Sequence, residues 1–134
     1  MGPFEKTRIH FNKKLPKPSE VRQKFGDEIL VIYDRALMGH VPGFNSWMRH
    51  FPESYGVDSG EDLKALEAFP QHFKRIFELS NSFSRKNMLL LAVGGGSVGD
   101  FAGFIASIYK RGVRFANIPT TWLSALDSAH GGKT

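Results

Sequence analysis

The sequence has no cysteine, which removes disulfide frameworks, thiolate metal sites and cysteine nucleophiles from consideration. Long apolar runs are missing too. The longest, Met88 to Val93, is six residues, against the roughly 20 that a membrane-spanning helix needs. Polar residues begin at Glu5, so no secretory leader is expected, and Lys6 stands where myristoylation requires Ser or Thr. The five histidines, His10, His40, His50, His72 and His130, show no ligand spacing, and they are read as structural or surface residues, with no metal site in this chain. These absences point to a soluble, cytoplasmic protein with no membrane partner. What remains is the material of one globular domain: 134 residues, 41% hydrophobic and 23% charged, enough to bury a core.

Acidic charge is scarce in one region. Lys6, Arg8, Lys13, Lys14, Lys17, Arg22 and Lys24 face a single acid, Glu20, and the whole chain carries a net charge of +5. No aromatic–basic interleaving or nucleic-acid motif accompanies them, so the cluster reads as a solvated lysine-rich face rather than a nucleic-acid surface. Anionic small molecules remain suitable partners.

The organisation is that of alternating strands and helices. Phe4 to Phe11 reads as an edge strand, followed by a linker containing Pro16 and Pro18. Glu28 to Asp34 is a short β-branched run bounded by Gly26-Asp27, and it reads as a buried strand. Ala36 to Phe51 is ambiguous, with Pro42-Gly43 interrupting any helix and Trp47-Met48 resuming one. A helix is expected from about Glu61, because Leu63, Leu66, Phe69, Phe73, Ile76 and Phe77 recur at helical spacing, with Pro70 kinking or splitting it. Met88 to Val93 and Arg114 to Ile118 read as two further strands, and Thr120 as the cap of a short helix carrying Trp122, Leu123 and Leu126. Continuously apolar strands alternating with helices imply a parallel sheet covered on both faces.

The chemistry concentrates in Gly94-Gly-Gly-Ser-Val-Gly-Asp100, which follows the Met88–Val93 strand and opens a helix. Such a turn leaves backbone N–H groups at a positive helix end, with no side chains to keep a phosphate away. Gly94, Gly96 and Gly99 satisfy G-x-G-x-x-G in the context that motif requires. An ordinary Rossmann fingerprint has a ribose-binding acid about 20 residues further on; here that count lands near Pro119, and the strand-ending acid is Asp34, upstream. A bound dinucleotide would therefore place its adenosine half toward Asp34 and its pyrophosphate on Gly94 to Asp100. Gly131-Gly-Lys-Thr134 looks like the end of a P-loop, but Asp127 occupies the position of the first glycine and the register follows a helix. That reading is rejected.

Taken together, these strings resemble a family. From Arg85 to Thr134, and above all over GGGSVGDFAGFIASIYKRGVRFANIPTTWLSALDSAHGGKT, the sequence is similar to the nucleotide-binding domain of 3-dehydroquinate synthase and related sugar phosphate cyclases. Ser59-Gly-Glu-Asp-Leu-Lys64 resembles the family's earlier Asp-Gly-Glu-x-x-Lys segment, and Tyr33-Asp34 sits where its second strand ends. The resemblance implies a doubly wound, mostly parallel Rossmann-like α/β fold, with residues 1–134 forming one NAD-binding domain. It implies that Asp34, Glu61 and Lys64 hold the adenosine ribose side, and that Gly95, Gly96, Ser97 and Asp100 cradle the pyrophosphate and adjoining ribose. Thr120, Thr121 and Lys133 would lie along the nicotinamide half, while Arg111, Asp127 and Lys133 match positions that contact substrate or order the reaction centre. In isolation each residue has a plainer reading: Arg111 and Lys133 as solvated charges, Thr120 as a helix cap, Asp34 as a strand-end turn residue, and Glu61 and Lys64 as first-turn neighbours.

By the same resemblance the parent enzyme converts a 3-deoxy-heptulosonate 7-phosphate to 3-dehydroquinate in the shikimate pathway of aromatic amino acid biosynthesis. NAD is used and regenerated, phosphate is eliminated, and the net reaction is that of a carbon–oxygen lyase. A divalent metal, zinc or cobalt, would be held by a C-terminal helical domain that this chain lacks, so the chain is expected to be a fragment or a truncated homologue, inactive alone. That missing domain and a second copy of the chain are its expected partners. Ser59, Ser97, Trp122 and His130 depart from the residues usual in the family. Two alternatives stay open: a related cyclase or iron-type dehydrogenase, and a non-catalytic nucleotide-binding module.

Overall fold

A computed structural model of the chain describes residues 6–8 and 15–120. Its centre is a five-stranded, entirely parallel sheet in the order β1-β5-β4-β2-β3, with β1 Lys6–Arg8, β2 Ile29–Asp34, β3 Ser54–Val57, β4 Leu89–Gly94 and β5 Arg114–Pro119. The middle strands are apolar throughout because each face of the sheet is covered. Leu30, Ile32, Leu90, Ala92 and Phe115 point into one core with α4 (Phe69–Ser80) and α5 (Gly96–Ile108). Ile29, Val31, Leu89, Leu91, Val93, Ala116 and Ile118 point into the other, against α1 (Pro18–Phe25), α2 (Leu37–His40) and α3 (Phe44–Met48). Alternation along each strand thus feeds two cores rather than one core and solvent. The doubly wound α/β fold read from the sequence is the fold observed.

Several elements depart from expectation, each for a local reason. The supposed linker at Pro16 and Pro18 runs into α1, which has Pro18 in its first turn, where a missing N–H costs nothing. Glu20 turns back to accept the Lys17 N–H at 3.2 Å, and Gly26, at φ +94°, ends the helix. The helix expected from Glu61 starts only at Phe69, again with a proline in the first turn. Ahead of it, Glu61–Lys64 and Leu66–Ala68 are 3₁₀ turns separated by extended Ala65. Leu66 and Phe77, placed in the apolar stripe by spacing, are 79% and 53% exposed. Strand β3 has no counterpart among the expected elements.

At the edge, β1 occupies Lys6–Arg8 beside β5, within the expected Phe4–Phe11 strand, whose remaining residues lie outside those described. Also outside are Thr121, Trp122, Leu123, Leu126, Asp127, His130 and Lys133. Among the described residues no helix is long and apolar enough to cross a membrane.

Candidate functional site

Register brings the strand ends to one level. Asp34 lies opposite Val57, Tyr33 opposite Val93, and Gly94 opposite Pro119. From β2 the chain proceeds to β3 on one side, whereas β4 leads to β5 on the other. The crevice between the ends of β2 and β4 is therefore the point where the winding direction switches, the usual ligand position in an open α/β sheet.

The glycine string builds one wall of this crevice. Gly95 caps α5 without any side-chain cap, and the first internal bond of the helix runs from the Gly99 N–H to the Gly95 carbonyl at 3.0 Å. The amides of Gly96, Ser97 and Val98 thus precede the helical ladder, at the positive end of a 13-residue helix. The glycines differ in what requires them. A Cβ on Gly94 would sit 2.9 Å from the Val98 Cβ, and one on Gly99 3.3 Å from the Asn117 amide nitrogen, so both serve the packing of α5 on the sheet. A Cβ on Gly95 or Gly96 would meet nothing within 4 Å, and neither residue has a positive φ. Among the described residues, the fold itself gives no reason for glycine at these two positions.

Other expected site residues gather around the loop. Asp34 ends β2, and its Oδ1 accepts the Ala36 N–H at 3.0 Å, a local turn that fixes the carboxylate at the rim. Ser97 Oγ accepts the Gly60 N–H at 3.2 Å and ties α5 to the segment carrying Glu61 and Lys64, which occupy the following 3₁₀ turn. Ser97 therefore has a partner in the fold besides any ligand. Thr120 is buried just beyond β5, and its N–H donates to the Gly94 carbonyl at 2.9 Å, joining two strand ends beneath the loop. Asp100 is exposed one turn into α5 and lines a pocket with Gly103, Phe104, Ser107, Val113 and Phe115.

Arg111 is not brought to this group. It follows α5 at its far end, about 20 Å from Gly96 at 1.5 Å per residue. There, Lys110 and Arg111 adopt positive φ values of 50° and 67° in the turn leading to β5.

Sequence reasoning missed Arg35 and Asp58. They meet at the ends of β2 and β3, with Arg35 Nε 3.0 Å from Asp58 Oδ1 and Nη2 2.5 Å from Oδ2. This bond holds the Asp58 carboxyl below its usual range, and the adjacent positive charge adds to the effect. Recognition of β3 would have revealed the pair, because it sets Asp58 beside the residue after Asp34. Among the described residues no group of three or more His, Asp or Glu side chains is arranged to hold a metal.

Comparison with known proteins decides the family. The family described as 3-dehydroquinate synthase N-terminal matches residues 54–134. The chain belongs to this family. It is 47% identical over 75 residues to a 3-dehydroquinate synthase of Clostridium tetani, covering 56% of this chain and 19% of that protein. With a 3-dehydroquinate synthase of Sulfurovum it shares 49% over 78 residues, covering 58% of this chain and 21% of the relative. The chain thus matches about a fifth of the length of these relatives. Among solved structures it resembles 2-deoxy-scyllo-inosose synthase complexed with carbaglucose-6-phosphate, NAD+ and Co2+, at a TM-score of 0.61 and 23% identity, over 92% of this chain and 34% of that one. That likeness extends the fold assignment from the matched stretch across nearly the whole chain.

Proposed function

We propose that this chain is the NAD-binding domain of a 3-dehydroquinate synthase, acting on a 3-deoxy-heptulosonate 7-phosphate in the cytoplasmic shikimate pathway. The observation that carries the reading is the bareness of Gly95 and Gly96: among the described residues nothing in the fold requires glycine there, whereas close approach of a phosphate does. Support for this particular synthase comes from the 47% and 49% identity to dehydroquinate synthases.

In this reading the free amides of Gly96, Ser97 and Val98 receive the pyrophosphate, with Gly95 leaving room and Asp100 facing the adjoining ribose. Asp34, fixed by its own turn, accepts from the adenosine ribose hydroxyls across the crevice, with Glu61 and Lys64 alongside. Thr120, Thr121 and Lys133 serve the nicotinamide half, and Asp127 and Lys133 the substrate. NAD held by these residues would supply reversible hydride acceptance at a ring alcohol, and the proposed net reaction is phosphate elimination with ring closure, a carbon–oxygen lyase activity. The chain's own contribution is to bind and orient.

Arg111, at the opposite end of α5, keeps a substrate role only toward a site other than its own chain's crevice, which a homodimer would supply. Among the described residues no three His, Asp or Glu side chains are grouped to hold zinc or cobalt. The remainder of the relatives' length is proposed to hold that metal, and the chain alone to release no phosphate.

Titration calorimetry tests the reading. NAD should bind the wild-type chain, and Gly96→Val should weaken binding at least about tenfold, a cost of ~1.4 kcal/mol. Equal affinity in the two proteins overturns it.

A further inference from the structure

Three features hold Arg35 in one place. Its N–H donates to the Val57 carbonyl at 2.9 Å, just past the end of β2. Its stem lies against Gly56, where a Cβ would come within 2.6 Å of Arg35 Cγ and 2.8 Å of Tyr33 Cζ. Its guanidinium fork takes both oxygens of Asp58. The residue so fixed is the neighbour of Asp34, at the rim proposed for the adenosine ribose.

A strand-end acid favours a free ribose 2′-hydroxyl, which can donate to it, while a nearby arginine is what accommodates a 2′-phosphate. Here an arginine is present, but its planar fork, the geometry that would grip a phosphate, is already filled by a carboxylate. Asp34, Arg35 and Asp58 together carry one net negative charge, which repels a phosphate dianion brought among them. The pair is also in the open: the Arg35 and Asp58 side chains are 59% and 74% exposed, so either can be replaced without opening the core.

We infer that the Arg35–Asp58 pair is a selectivity device, which keeps Arg35 from accepting a 2′-phosphate and so confines the crevice to dinucleotides with a free adenosine 2′-hydroxyl. The inference rests on the NAD reading of the glycine loop and adds which side chains keep a 2′-phosphate out. Asp58 acts by occupying Arg35, and the ligand's 2′ substituent is the group discriminated.

The test is a titration of the wild-type chain, Asp58→Ala, and Asp58→Ala combined with Arg35→Ala, each with NAD and with NADP, followed by amide chemical shifts so that weak binding is measurable. Wild type should prefer NAD. In Asp58→Ala the ratio of the NADP to the NAD dissociation constant should fall about tenfold, which corresponds to ~1.4 kcal/mol. Removing Arg35 as well should restore the wild-type ratio, because the freed guanidinium is the source of the gain. An unchanged ratio in Asp58→Ala, or a gain that survives the loss of Arg35, overturns the inference and leaves NAD binding intact. Failure of the wild type to bind either dinucleotide overturns the reading of the glycine loop, and the inference with it.

Discussion

The two ends of α5 are built for opposite purposes. At its C-terminal end every feature fastens. The Val113 N–H returns to the Ala106 carbonyl at 2.8 Å, Lys110 Nζ donates to the Phe83 carbonyl at 3.1 Å, and Ser80 Oγ lies 2.8 Å from the hydroxyl of buried Tyr109. Two non-glycine residues are even held at positive φ there, a strain that persists only where surrounding contacts over-determine the backbone. At the N-terminal end, among the described residues, a Cβ on Gly95 or Gly96 would meet nothing within 4 Å, no side chain caps the helix, and amides stand ahead of the first helical bond. One end stabilises the fold. The other is left open, and an open helix N-terminus at a topological switch point suits an anionic ligand.

If this contrast is right, mutations at the two ends should separate stability from binding. The largest loss of stability is expected from Tyr109→Ala, which empties a buried aromatic site and removes the hydroxyl beside Ser80 Oγ, leaving that group only its bond to the Ile76 carbonyl, at a cost of about 3 kcal/mol in urea unfolding. Gly112→Ala, at φ +106°, should cost about 1–3 kcal/mol, since a side chain is strained there whatever the space around it. Gly94→Ala sharpens the comparison, because this glycine belongs to the motif yet serves packing. The clash with Val98 should cost a similar ~1–3 kcal/mol. Gly96→Ala should shift stability by no more than about 1 kcal/mol, toward greater stability, by restricting the unfolded chain. A large loss at Gly96 with none at Gly94 would invert the account.

The smallest expected effect is a pH dependence where α4 packs on the middle of α5. His72 packs on Phe101, with ring centroids 4.8 Å apart, and its Nδ1 lies 2.6 Å from the Tyr55 hydroxyl. Burial holds its pKa below the ordinary histidine value of 6.5. Below that value the unfolded chain binds the proton more readily than the folded one, so stability should fall as pH drops from 6.5 toward the lowered folded value. Urea midpoints at several pH values check this, and His72→Phe should flatten the slope across that window.

What could be read from the sequence followed how locally each feature is encoded. The β2 and β4 runs and the glycine string announce themselves because burial on both sheet faces demands unbroken apolar strands, and a phosphate loop demands bare backbone. Strand β3 was hidden: Ser54-Tyr-Gly-Val57 has neither alternation nor an apolar run, and at the sheet edge it pairs on one side only. Helix α1 resembles a linker in sequence because Pro18 reads as a breaker unless it falls in the first turn. The Arg35–Asp58 pair depends on β3 and was lost with it. Leu66 fits the helical period downstream but sits in a 3₁₀ turn, where that period does not apply.

The most direct test of the open-end claim is to map amide chemical-shift changes on the isotope-labelled chain during NAD titration. The account predicts perturbations concentrated at Gly95, Gly96, Ser97 and Val98 and across the crevice at Asp34 to Ala36, with Tyr109 to Gly112 undisturbed. Perturbations centred on the fastened end, or none at the glycine loop at saturating NAD, would contradict it.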